Sequence, residues 1–80
     1  MTSKTFQVSS RHEALESCRL AEISTSIARA CQGRADRHFA AGRRSRGDFY
    51  LNAAARHTAT ARALKSQALE WILSSDYTAA

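Results

Sequence analysis

Residues 14–42 read ALESCRLAEISTSIARACQGRADRHFAAG and residues 47–75 read GDFYLNAAARHTATARALKSQALEWILSS, and both are built on one seven-residue step. Ala14, Ala21, Ala28, Ala35 and Gly42 carry that step in the first stretch; Gly47, Ala54, Ala61, Ala68 and Ser75 carry it in the second. Small residues at heptad spacing mark a coiled-coil seam on which two helix axes approach closely. If the chain folds back between the stretches, 42 meets 47, 35 meets 54, 28 meets 61, 21 meets 68 and 14 meets 75. One register satisfies every rung, and the reading is an all-α antiparallel helical hairpin.

The second position of each heptad sets the packing style. In the first stretch it reads Ser17, Ser24, Cys31 and His38; in the second, Tyr50, His57, Leu64 and Trp71. The same fold-back puts 17 near 71, 24 near 64, 31 near 57 and 38 near 50, so large side chains fall opposite small ones, as a specified packing requires.

Working outward, Ser10-x-x-Glu13 has the form of a capping box, in which hydroxyl and carboxylate satisfy free backbone N–H groups at a helix start. It predicts helix 1 over about 11–41, after a flexible arm (1–9) whose Phe6 and Val8 fold onto the bundle or a partner. Gly42-Arg-Arg-Ser-Arg-Gly47 is read as a basic turn, with Gly42 in the left-handed C-terminal position and Asp48 as the N-cap of helix 2 over about 48–74. Residues 76–80 are expected to fray. Gly33 disfavours a helix interior by about 1 kcal/mol relative to alanine, so the alternative is a three-helix bundle with helix 1 broken there.

The 80 residues make one small domain, a size at which a single core barely suffices. Of the 44% hydrophobic residues, alanine is the commonest and buries little area, which favours oligomerisation or partner docking. Proline is absent, and the glycines stand only at 33, 42 and 47, consistent with long helices. No apolar run approaches a membrane span or a secretory signal, so a cytoplasmic protein with no membrane role is expected. Cys18 and Cys31, thirteen residues apart on one helix, lie roughly 20 Å from each other at about 1.5 Å per residue and cannot bridge within the chain. Reduced thiols fit the same compartment.

Two surfaces remain once the seam is assigned. Leu20, Ile23, Ile27 and Ala30 share a face about 120° or more from the alanine positions of helix 1, and helix 2 leaves Leu51, Leu69, Ile72 and Leu73. Four apolar side chains on one face favour a second hairpin or a partner helix, with a homodimeric four-helix bundle the simplest version. The second surface is basic. The net charge of +5 is concentrated in residues 29–65, where nine Arg and Lys stand against Asp36 and Asp48. Arg37, Arg43, Arg44 and Arg46 cluster at the bend, where guanidinium forks suit phosphate or an acidic protein surface. Cations are also favoured at a helix C-terminus, so the cluster has a purely structural explanation as well.

Catalytic and metal chemistry find no support. Cys31 and His57 fall in one layer, but His38 lies two turns away from Cys31, and two ligands do not make a zinc site. Nucleophile and base lack a third group or oxyanion donors, and no Gly-rich phosphate loop follows a strand. Arg46-Gly47-Asp48 is read as turn and cap. No enzyme activity, cofactor or metal is expected. In outline the hairpin is similar to plasmid copy-number RNA-binding hairpins that dimerise into four helices, and to short helical chaperone or inhibitor subunits, with no diagnostic motif from either. The expectation is a non-catalytic adaptor, chaperone or inhibitor, of the type phages and plasmids encode. It would bind a protein partner through Leu20, Ile23 and Ile27 and through Arg37, Arg43, Arg44 and Arg46. The alternative is a nucleic-acid-binding hairpin dimer using the same arginines.

Overall fold

A computed structural model describes the backbone of residues 2–79 and the side chains of residues 11–73. Two helices, α1 (Thr2–Ala40) and α2 (Arg44–Ala79), pack along their lengths as an antiparallel hairpin. The result is a rod of 61 × 13 × 12 Å with a radius of gyration of 17.8 Å, against about 12 Å for a compact chain of this length.

The seam follows the heptad step. Ala14, Ala21, Ala28 and Ala35 on α1 and Gly47, Ala54, Ala61 and Ala68 on α2 are all buried, joined by Ala53, Ser17 and Ser24. Cys31, His38, Tyr50, His57, Leu64 and Trp71, the remaining second-position residues, are half-buried. The His38 and Tyr50 rings stack with centroids 5.4 Å apart, which fixes the register at the bend end as the fold-back predicts. The Ser75 side chain of the last rung lies outside the described residues, as do those of Phe6 and Val8.

Helix boundaries depart from expectation at three places, while the expected continuity through Gly33 holds. Helical backbone begins at Thr2, so Ser10-x-x-Glu13 lies inside α1 and residues 2–9 extend the helix where an arm was expected. With no Pro or Gly from Thr2 to Glu13, nothing stops the helix from propagating N-terminally past a capping pattern. At the other end α2 runs on to Ala79, through most of the segment expected to fray. Gly33 interrupts nothing: α1 is continuous through it, and the three-helix alternative is excluded. The turn is also shorter than the six residues expected, for reasons found in its hydrogen bonds.

Gly42 has φ of +78°, the left-handed conformation that only glycine adopts cheaply. Its N–H donates to the Phe39 carbonyl at 3.0 Å, and the Arg43 N–H donates to the His38 carbonyl at 2.8 Å. This pair of bonds is a Schellman motif, which satisfies the last carbonyls of α1 while reversing the chain. The Arg43 carbonyl in turn accepts the Gly47 N–H at 2.9 Å, the first bond of α2. Arg43 therefore closes one helix and opens the next. Asp48, expected as the N-cap, is exposed one turn further in. Gly42 is not the buried rung of the seam that the ladder implies; it is exposed in the turn, and Gly47 is covered by the Phe39 ring. A Cβ on Gly47 would come within 2.6 Å of that ring, so the close approach depends on glycine there.

Candidate interaction surfaces

The partition of apolar residues gives the first surface. Every buried hydrophobic side chain among the described residues is an alanine, whereas Leu20, Ile23 and Ile27 are 44%, 50% and 39% exposed. Leu51, Leu69, Ile72 and Leu73 of α2 are exposed as well, with Leu15 and Phe49. The cause is geometric: the first seam position admits only small residues, so the large ones stand half-buried at the second seam position of α2 or on the other faces. The accessible surface of 6134 Å² exceeds the roughly 4,800 Å² typical of a compact monomer of this mass. α1 presents Leu20, Ile23, Ile27 and Ala30 together, as the sequence predicts.

The second surface is the bend. Tyr50 stands at its centre, stacked on His38 and met edge-on by Phe49 at 5.3 Å. The Arg34 guanidinium lies over the Tyr50 ring at 5.7 Å from its centroid, a cation–π contact. Arg43 reaches back so that its Nη1 stands 3.4 Å from His38 Nδ1. Partial desolvation of the ring comes first, then the Arg43 and Arg46 charges, in holding the His38 pKa below its ordinary 6.5. An open-sided depression of about 380 Å³ beside this cluster is lined by His38, Ser45, Arg46, Phe49 and Tyr50.

The short turn changes what the arginines mean. Arg44 and Arg46 belong to the first turn of α2, which contains no acidic residue. Cations at a helix N-terminus face the positive end of the dipole. The C-terminal explanation holds for Arg37, in the last turn of α1, and partly for Arg43; it fails for Arg44 and Arg46. Arg37, Arg43, Arg44 and Arg46 are all exposed. Aromatic side chains accompany these charges at the bend, Phe49 62% and Phe39 38% exposed. Arg34 was missed as part of the cluster; its place one turn before His38 on the same helix is the signal that would have included it.

Cys31 and His57 are half-buried on the seam. Among the described residues no group of three or more His, Cys, Asp or Glu side chains is placed to hold a metal ion. No helix among them is long and apolar enough to cross a membrane.

Fold and surfaces thus define a class: an alanine-seamed helical hairpin with an apolar stripe on one helix and a basic, aromatic-bearing bend. Comparison of the chain with protein-family models, curated proteins and solved structures gives no match in any of the three.

Proposed function

We propose that this chain is a non-catalytic interaction protein, a small helical adaptor, chaperone or inhibitor that binds a macromolecular partner through the α1 stripe and the basic bend. The observation that supports it is the inverted partition of apolar side chains, with alanine inside and Leu20, Ile23 and Ile27 outside. Exposed large apolar residues gathered on one face mark a contact surface, and an alanine core buries too little area to hold a long hairpin with a wide margin. The two thiols suit a reducing compartment, and the reading is of a cytoplasmic protein.

Affinity capture from the native host, with and without nuclease, tests this. A partner retained after nuclease by the wild type and lost by Ile23→Asp/Ile27→Asp is the expected result, with the helical circular dichroism of the variant unchanged. Capture that is indifferent to both substitutions overturns the assignment of the stripe.

A second reading, nucleic-acid binding, is favoured by Arg44 and Arg46 at a helix start beside exposed Phe49. It requires affinity for RNA or duplex that falls steeply with salt and is lost on charge reversal at Arg43, Arg44 and Arg46. Salt-independent binding, or none, removes it.

A further inference from the structure

The α1 stripe has charged ends of opposite sign. Along one face, alternating steps of three and four residues run from Glu13 and Glu16, through the apolar Leu20, Ile23, Ile27 and Ala30, to Arg34 and Arg37. Glu16 is half-buried and the rest of this face is exposed, so the whole of it is accessible along roughly 36 Å of helix at about 1.5 Å per residue. Three-four spacing is that of a coiled-coil seam, and this seam is separate from the alanine one that α2 occupies.

We infer that the occupant of this stripe is a second copy of the same chain, docked antiparallel on α1 about a two-fold axis at the level of residue 25. That inference rests on the stripe being an interaction surface and adds what covers it. In this register Ile23 lies opposite Ile27 of the second copy, Leu20 opposite Ala30, Glu16 opposite Arg34 and Glu13 opposite Arg37. Each pair sums to the same value, so one operation satisfies apolar and charged positions together, as an isologous contact requires. The layers are also the ones an antiparallel coiled coil forms, the first seam position of one helix against the second of the other. A parallel pairing sets Glu13 on Glu13 and Arg37 on Arg37, where like charges repel. Within a chain, Glu13 and Glu16, and likewise Arg34 and Arg37, are like-charged neighbours at three-residue spacing; docking gives each a carboxylate–guanidinium partner. Arg34 is held over Tyr50 by its face, and the edge of a stacked guanidinium still carries its N–H donors.

The dimer is a four-helix assembly whose two basic bends point away from each other, roughly 50 Å apart at about 1.5 Å per residue.

Sedimentation equilibrium of the full chain, with charge-reversed variants, tests this. The wild type is expected to be a dimer. Glu13→Arg/Glu16→Arg, which makes both ends of the stripe basic, should loosen it by roughly tenfold to a hundredfold, because four attractive cross-pairs become repulsive. Arg34→Glu/Arg37→Glu should do the same. Mixing the two variants should restore a heterodimer, which shows that the loosened variants still fold, and the fourfold reversal carrying all these substitutions should restore the homodimer. A monomeric wild type overturns the inference while leaving the proposed function to its own capture experiment. A dimer unaffected by either reversal, or no recovery on mixing, overturns the antiparallel register.

Discussion

Ala61→Leu probes the alanine seam directly. Ala61 is 5% exposed and is set by the register against Ala28, which is 8% exposed. Leucine adds three carbons, which would gain about 2.4 kcal/mol if a cavity were ready to receive them, at about 0.8 kcal/mol each. None is ready, because the opposing surface is itself alanine and serine at this level. The side chain must push the axes apart, and the separation is shared with neighbouring rungs, which lose contacts in turn. Overpacking of this kind has a net cost of about 1–3 kcal/mol. With an unfolding entropy near 2.1 cal/mol/K per residue, that lowers the Tm by about 6–18 °C for a chain of this length.

The assay is thermal unfolding followed by circular dichroism at matched protein concentration, since association shifts the midpoint. Ala63→Leu, two residues on and exposed, is the control and should change stability by less than about 0.5 kcal/mol. Trimming the opposing methyl with Ala28→Gly should recover part of the loss, so that the double variant is more stable than the two single effects predict when added. An Ala61→Leu protein that melts with or above the wild type, or a double variant that is simply additive, refutes the close-packed seam.

Three further outcomes follow from the same structure. A Cβ at Gly33 meets nothing within 4 Å in the middle of α1, so Gly33→Ala should stabilise by about 0.5–1 kcal/mol in chemical denaturation. Gly42→Ala has equal space but a φ of +78°, and should destabilise by about 1–2 kcal/mol in the same measurement, through the left-handed conformation alone. Because the folded state holds the His38 pKa below 6.5, the unfolded chain binds the proton more readily; stability should decline as pH falls below about 6.5, and His38→Gln should flatten that decline in pH-dependent unfolding.

The alanine rungs of the seam, though not the one at Gly42, were legible because heptad periodicity is a property of one helix at a time, and a shared step in two helices leaves a single fold-back register. The nearness of His38 to Tyr50 was legible for the same reason; their stacking was not. The helix ends were not. A capping box at Ser10 and an N-cap at Asp48 are permissive signals: the first loses to a chain with no Pro or Gly before it, which continues as helix, and the second loses because the bonds at Gly42 and Arg43 let α2 start at Arg44, through Gly47. The stripe of Leu20, Ile23 and Ile27 was legible as what the seam leaves over, whereas the membership of the basic bend was not, since Arg34 joins it only through the ring of Tyr50.

By itself, then, the sequence determined the helical state, the hairpin fold and the alanine positions of the seam, because all three follow from residue spacing along regular helices. The left-handed Gly42 was legible too; the structure alone decided where α2 begins. The Schellman bonds from Gly42 and Arg43 make one arginine both the end of α1 and the start of α2, and so place Arg44 and Arg46 at the positive end of a helix dipole. That depends on how carbonyls and N–H groups of two helices are satisfied in space, which no spacing along the chain encodes.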